Sequence, residues 1–364
     1  MKLVRFLMVG GFLGAGKTTA IARLAKHYTE QGMRVGIVTN DQAFGLVDTE
    51  SLRAQGFDVG EVPGACFCCK FDDLIETAQQ LDDQTSPDVI IAEPVGSCTD
   101  LAATVVEPLR HLYGEKYELG PLAVLLKPEH GRKILRKETG VGFSPKAAYI
   151  FLKQIEEADI VVLNKMDKLS EDDREELLGL VADRFPGKQV MAASAKSGDN
   201  FADLIDALAS TPAKRNSFMD VDYDVYAEGE AELGWLNCQL KISAESPFDL
   251  DDAIFGLVQG IKSRLRKSAI EAAHLKVLGQ SRESTSIANL VSNDADVEQS
   301  LAAEVKVAAA DCIINARVAS DPAELESAIR QSVDEWKTER GIAGEVTGMQ
   351  RFRPGRPVPT HRMS

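Results

Sequence analysis

Gly11-Phe12-Leu13-Gly14-Ala15-Gly16-Lys17-Thr18 fills the pattern Gly-x4-Gly-Lys-Thr directly after the apolar run Leu3-Val4-Arg5-Phe6-Leu7-Met8-Val9. Few local features narrow a fold as far, because this pattern works as a strand, a tight glycine turn and a helix in that order. Glycines at 11, 14 and 16 let successive backbone N–H groups turn inward around a di- or triphosphate. Lys17 neutralises the outer phosphates, and the Thr18 hydroxyl can ligate magnesium. The helix expected over about residues 17–31 aims its positive end at the same anion. Lys2 and Arg5 before an apolar run also match the start of a secretory signal, but cleavage near Ala15 or Ala20 would destroy the glycine loop. With no other apolar stretch near the roughly 18–20 residues that span a bilayer, a cytoplasmic chain without a membrane partner is expected.

A chain of 364 residues exceeds what one core usually serves, so two domains are expected. Short β-rich runs at 3–9, 34–39, 58–62, 88–92, 122–126, 160–163 and 189–192 alternate with helical stretches. That is the signature of an α/β fold, a mainly parallel P-loop sheet with helices on both faces, here over residues 1–212. Glycines and prolines among residues 107–153, including Gly140 and Gly142, mark loops that elaborate this domain. The periodicity breaks at Thr211-Pro212-Ala213-Lys214-Arg215-Asn216-Ser217, and an acidic linker is expected over 213–232. Residues 233–345 read as a smaller α+β domain with helices on one face of an antiparallel sheet, ferredoxin-like in order. It has strands near 235–242, 274–278, 284–291 and 312–318 and helices near 250–267 and 322–337. Residues 346–364 form a basic, proline-rich tail, expected to be extended and solvated, with a docking tail as the alternative. The net charge of −15 argues against a nucleic-acid partner.

Asn164-Lys165-Met166-Asp167 follows the apolar run 160–163, at the strand end that shares an edge with the phosphate loop. Its spacing suits guanine. The Asp167 carboxylate can accept from both the ring N–H and the exocyclic amine, which adenine does not offer, while Asn164 meets the base edge and the Lys165 stem covers its face. In Ser194-Ala195-Lys196, after the next strand, a backbone N–H can meet the guanine carbonyl. GTP is therefore preferred over ATP. Glu93 ends the run 88–92 and Asp41 ends the run 34–39; two acids at strand ends beside a phosphate loop suit magnesium. With Thr18 they form the expected magnesium set. Lys17, Asp41 and Glu93 form the expected catalytic set, and the Gly96 N–H is placed to sense the γ-phosphate. No arginine finger or water-positioning glutamine can be named, so slow GTP hydrolysis is expected.

Three of the six cysteines fall within Gly64-Ala65-Cys66-Phe67-Cys68-Cys69, a loop after the run 58–62. Cys66 and Cys68 face one way in an extended loop and Cys69 can fold round, giving three soft ligands for zinc or another thiophilic ion. A redox-active or merely buried thiol group is the competing reading. Cys98 is a candidate fourth ligand, with a small buried hydrophobe as its plainer role. Cys238 and Cys312 fall in strands and read as core, Trp235 reads as a packing residue, and His274 with Lys276 as a sheet-edge pair.

Residues 11–19, Asn40-Asp41, Cys66-Phe67-Cys68-Cys69, Glu93-Pro94-Val95-Gly96 and Asn164-Lys165-Met166-Asp167 together resemble the metallochaperone GTPases related to the urease and hydrogenase nickel inserters, most closely the CobW-type branch. The resemblance covers roughly residues 1–212. It implies nucleotide contacts from Gly11, Gly14, Ala15, Gly16, Lys17, Thr18, Thr19, Gly96, Asn164, Lys165, Asp167, Ala195 and Lys196. It also implies a transition metal, zinc first with cobalt or nickel as alternatives, on Cys66, Cys68 and Cys69. Dimerisation and metal affinity that respond to nucleotide, and a client metalloprotein, belong to the same expectation. Ala65 replaces the family's usual glycine, Asp41-Gln42-Ala43-Phe44-Gly45 replaces its acidic-Phe-Gly segment, and its histidine-rich stretch is missing. Two further functions fit the residues. One is a GTP-dependent chaperone for a cofactor enzyme, for instance a corrinoid protein, with structural or redox-sensing cysteines. The other is a metal or redox sensor whose thiols regulate GTP turnover.

Overall fold

The computed structural model describes residues 2–43, 45–136, 145–211, 213, 218–282 and 284–363. Phe44, Gly140, Gly142, Pro212 and residues 214–217, on which parts of the sequence reading fall, lie outside the described residues. The chain divides into two compact units. The first contains Met1–Gln42, Phe57–Gly229 and Arg356–Ser364; the second contains Ala43–Gly56 and Glu230–Gly355.

The first unit is built on seven strands: β1 (Val4–Gly11), β2 (Val35–Asp41), β3 (Asp58–Pro63), β4 (Val89–Glu93), β5 (Tyr117–Leu126), β6 (Ile160–Leu163) and β7 (Gln189–Ala192). They form one sheet in the order β3-β2-β4-β1-β5-β6-β7, and every neighbouring pair is parallel. All seven residues of β2 and all five of β4 are buried. Such runs, buried without alternation, are what a sheet covered on both faces requires. Because the strands are parallel, all their carboxyl ends lie on one edge, and the order makes β1 central. The segments after β6 and β7 lie to one side of the phosphate loop, and those ending β4, β2 and β3 to the other. The 107–153 region is more regular than its glycines suggest, since it contains β5 and the helices Glu107–Tyr113, Pro128–Leu135 and Pro145–Glu157. Tyr223–Ala231, in the stretch expected as linker, is also helical.

The second unit has six strands: β8 (Gly234–Asp249), β9 (Ala272–Ser281), β10 (Ser284–Leu290), β11 (Glu298–Leu301), β12 (Lys306–Val318) and β13 (Ala343–Phe352). Their order is β11-β10-β9-β12-β8-β13, and all neighbours are antiparallel. One helix, Leu250–Lys267, joins β8 to β9, and another, Pro322–Arg340, joins β12 to β13. The run β13-β8-β12-β9 is thus the split β-α-β order of a ferredoxin-like sandwich, extended at one edge by β10 and β11. Alternate residues of β8 and β12, including Leu236, Cys238, Leu240, Cys312 and Ile314, pack under the two helices. Cys238 and Cys312 are core, as expected, and burial pushes the Cys238 thiol up to about 11. Trp235 is buried, with the Arg317 guanidinium 4.1 Å from its ring centre.

Two expectations are corrected here. His274 and Lys276 lie on β9, an interior strand, and Lys276 forms an ion pair with Asp48 of the helix Val47–Ala54. Residues 346–352 belong to β13 rather than to a tail, because their backbone pairs with β8 from Trp235 onward. Among the described residues, no helix is long and apolar enough to cross a membrane.

Candidate functional site

The phosphate loop closes the end of β1. Gly11 and Gly16 have φ of +135° and +90°, backbone that L side chains rarely adopt. Space forbids a side chain too: a Cβ on Gly11 would lie 2.2 Å from the Leu125 oxygen, and one on Gly16 2.5 Å from Asn164 Nδ2. The helix Lys17–Glu30 starts immediately after Gly16. Lys17 and Thr18 are buried, whereas Thr19 is exposed. The result is a cradle of backbone amides whose dimensions only glycines permit, which fits a polyphosphate.

Asn164 joins this cradle to the segments after β6 and β7. Its Nδ2 donates to the Ala15 carbonyl at 2.7 Å, and its Oδ1 accepts from the Ala195 N–H at 2.9 Å. Lys165 stands in left-handed backbone, and Asp167 sits exposed in the short turn that follows. Arg23, which the sequence did not single out, fixes the next loop from the helix Lys17–Glu30. Its guanidinium donates to the carbonyls of Ala195 and Lys196, each at 2.7 Å.

On the opposite side of β1, Glu93 is buried at the end of β4. The Thr18 hydroxyl donates to Glu93 Oε1 at 3.1 Å, and Lys17 Nζ lies 3.8 Å from the same oxygen. Asp41 is buried at the end of β2. A hydroxyl and two carboxylates of this kind are a hard oxygen donor set that fits magnesium beside a polyphosphate. Gly96 is packed against the phosphate loop so closely that a Cβ there would lie 3.1 Å from the Leu13 backbone nitrogen.

The thiol loop begins one residue past β3. Cys66, Cys68 and Cys69 place their sulphurs 3.5 to 3.7 Å apart. Four sulphurs around a tetrahedral zinc at about 2.3 Å would lie about 3.8 Å from one another, so three corners of such a site stand near their final spacing. Among the described residues these three form the cluster with metal-ligand spacing. Cys66 and Cys68 are buried and Cys69 is half-buried. Cys66 accepts hydrogen bonds from Cys68, Cys69 and Cys98, which pull its pKa well below the usual thiol value. The same contacts with Cys66 push Cys68 well up and Cys69 up to about 11. Cys66 is therefore the thiol of the trio that gives up its proton most readily to a soft cation.

Asn40 builds this loop, a role that its place in the sequence did not reveal. Its Nδ2 donates to the carbonyls of Val62 and Ala65, both at 2.7 Å, and its Oδ1 accepts from the Phe67 N–H at 2.8 Å. Cys98, buried and hydrogen-bonded to Cys66, lies in the segment after Gly96. Gln154 holds that segment by donating to the carbonyls of Gly96 and Cys98 at 3.0 and 2.8 Å. Glu157 accepts from Thr99 Oγ1 and from the Ala102 N–H; its burial, with the Asp100 charge adding, pushes its carboxyl up to about 8. The chain terminus also reaches this region, where Val358 N–H points at Cys69 Sγ at 3.3 Å.

A family profile described as CobW/HypB/UreG, nucleotide-binding domain, matches residues 5–192. The zinc chaperone CobW of Sinorhizobium sp is 27% identical over 244 residues, which cover 61% of this chain and 68% of that protein. The zinc chaperone YeiR of Escherichia coli strain K12 is 28% identical over 182 residues, 48% of this chain and half of that protein's length. Among solved structures, Zn(II)-bound YjiA GTPase from E. coli aligns with a TM-score of 0.41 at 14% identity, covering 91% of this chain and 99% of that one. HypB from Helicobacter pylori in complex with nickel aligns with a TM-score of 0.42 at 17% identity, over 60% of this chain and 92% of that one.

Proposed function

Because the chain belongs to the CobW/HypB/UreG family by its nucleotide-binding domain, we propose that it binds and slowly hydrolyses GTP, and that nucleotide state sets its affinity for a transition metal carried on Cys66, Cys68 and Cys69. Zinc is the first choice of cargo, since two relatives are named zinc chaperones and three thiols suit it; cobalt and nickel remain alternatives. The cargo passes to a client metalloprotein, and nucleotide-dependent homodimerisation is part of the same reading.

In this reading the backbone amides of residues 11–19 hold the phosphates, with Lys17 against their charge. Asp167 accepts from the guanine edge, while Asn164, Lys165, Ala195 and Lys196 surround the base. Thr18, Asp41 and Glu93 would hold magnesium, which supplies charge neutralisation at the phosphates when bound. Asp41 and Gly96 then carry the presence or absence of the γ-phosphate to the thiols. Asp41 follows Asn40, whose side chain positions the thiol loop, and Gly96 lies two residues before Cys98.

One observation carries the reading. The cysteine triad at ligand spacing is fastened through Asn40 to the strand end that also presents Asp41. The test is a zinc competition titration under anaerobic conditions. It compares magnesium with a non-hydrolysable GTP analogue against magnesium with GDP, for the wild type and for Cys66→Ala. The reading expects a cysteine-dependent affinity gap of at least about tenfold, or about 1.4 kcal/mol of coupling. Tight zinc binding indifferent to nucleotide would favour a second reading, a GTP-dependent chaperone for a cofactor enzyme with a resident structural ion. The burial of Cys66 and Cys68 is the feature that favours that alternative.

A further inference from the structure

Residues 356–363, read from sequence as a solvated basic terminus, run in extended form along the thiol loop. The Thr360 N–H donates to the Cys68 carbonyl at 2.8 Å, and the Thr360 hydroxyl to the Cys69 carbonyl at 3.2 Å. The Val358 N–H points at Cys69 Sγ at 3.3 Å. Further on, His361 packs edge-on against Phe71 with ring centres 5.0 Å apart, and the Met363 N–H donates to the Ala103 carbonyl at 2.9 Å.

The composition of the segment follows from this placement. In an extended chain alternate amides face the same way. Here the inward amides are those of Val358 and Thr360, and the intervening positions are Pro357 and Pro359, which have no N–H to donate. Proline therefore occupies the positions where a donor is not needed. It also restricts the free segment to conformations near the docked one, which lowers the cost of docking. The Val358 side chain is left 70% exposed while the Pro357 ring is buried, so Val358 contributes its backbone and not its side chain.

Charge supplies the second hold. Asp100 is a carboxylate only 1% exposed, four residues beyond Gly96. Arg362 Nε donates to its Oδ2 at 2.7 Å, the Tyr223 hydroxyl donates to the same oxygen at 2.7 Å, and Arg362 Nη2 also donates to the Met219 carbonyl. A buried carboxylate needs a countercharge, and the chain terminus provides one. Arg356 adds an ion pair with Asp224 at the other end of the segment.

From these contacts we infer that the carbonyls of Cys68 and Cys69, the Asp100 carboxylate and Phe71 form a docking site for an extended, basic, proline-interrupted peptide, and that the chain's own residues 356–363 are its resident ligand. The segment spans both the thiol loop and the loop after Gly96, so it shields Cys69 when docked and must leave before another protein can reach that sulphur. A partner with a segment of the same chemistry competes for the site. The consequence for metal transfer rests on the metallochaperone reading; the docking itself does not.

The experiment uses full-length, reduced, metal-free protein without nucleotide, so that it tests docking whether or not the chain carries metal. Alkylation of Cys69 by iodoacetamide is followed by peptide mapping in the wild type, in Arg362→Ala and in a chain ended after Gly355, with GDP binding as the check of fold. Both variants should alkylate at Cys69 at least roughly tenfold faster, because reactivity follows the open fraction. A synthetic peptide of residues 356–364 should return the shortened chain to the wild-type rate, and the same peptide carrying Arg362→Glu should not. Cys69 rates within about twofold of wild type in Arg362→Ala with GDP binding intact would overturn the inference. Failure of the peptide to slow the shortened chain would overturn it as well.

Discussion

On the β5 side of β1, the candidate base contacts come from two short contiguous segments, Asn164-Lys165-Met166-Asp167 and Ser194-Ala195-Lys196, each set down by its own strand. On the β4 side, the three thiols of one loop are held by Asn40, Cys98 and residues 358–360, which are remote from them in sequence. The first arrangement sets its candidate base contacts at strand ends, with Arg23 from the helix Lys17–Glu30 holding the second of the two segments. The second holds its sulphurs through side chains and a terminus that can be displaced one at a time. A binding edge can therefore be rigid where the ligand is always the same and conditional where the ligand has to leave.

Removal of a single sulphur should break the comparison most strongly. Cys66→Ala takes away the shared acceptor of the trio and should lower zinc affinity by about a thousandfold, about 4 kcal/mol, with GTP affinity unchanged. Competition titration for the metal and fluorescence titration with a GTP analogue measure the two halves. The reciprocal change, Gly16→Ala, places a Cβ against Asn164 in strained backbone. It should weaken GTP binding about a hundredfold while leaving zinc binding without nucleotide as it was.

A smaller effect should come from Asn40→Ala, which leaves the Val62 and Ala65 carbonyls and the Phe67 N–H without their side-chain partner. Loss of a group that orients metal ligands lowers affinity by about 10–100-fold, and isothermal titration should find zinc affinity reduced in that range. If Asn40→Ala leaves the metal untouched, the thiol loop does not depend on its distant side-chain support.

The last effect is on stability rather than on binding, a pH dependence. In the fold Glu157 keeps its proton up to about pH 8, against an ordinary value of 4.5. Between those values the unfolded chain holds fewer protons, so the stability from the protonated carboxyl is complete below 4.5 and is lost as pH rises through 8. The wild type should lose about 1.4 kcal/mol of stability per pH unit across this window relative to Glu157→Gln. Urea unfolding at pH 5, 6 and 7 on both proteins measures the difference.

What the sequence revealed divides along the same line. The phosphate loop, the strand ends carrying Asp41 and Glu93, and the cysteine triplet are contiguous patterns, and the parallel character of the first sheet needed only the alternation of apolar runs with helices. The four strands and two helices named for the second domain are present, but the ferredoxin-like run also needs β13, which the sequence did not give, while β10 extends the sheet beyond it. Contacts between distant segments were not legible. Arg362 and Asp100 are 262 positions apart, and nothing local marks either as the other's partner. A Pro-Val-Pro-Thr stretch carries no strand propensity, so its use of alternate amides is visible only once Cys68 and Cys69 are beside it. β13 was hidden for a related reason, because an edge strand with Gly344, Gly348 and Arg351 resembles a solvated tail until β8 is there to pair with it. Asn40 was visible as a residue and not as a support, since its three partners lie 22 to 27 positions away.

The central claim is that events at the phosphate cradle govern the hold on metal at the thiols. A single-turnover experiment tests it most directly: protein loaded with zinc, magnesium and GTP is mixed with a phosphate-binding reporter and a colorimetric zinc chelator. The account predicts that zinc appears in step with phosphate, and that a non-hydrolysable analogue abolishes the release. Zinc that stays bound through phosphate release, or that leaves at the same rate with the analogue, would contradict it.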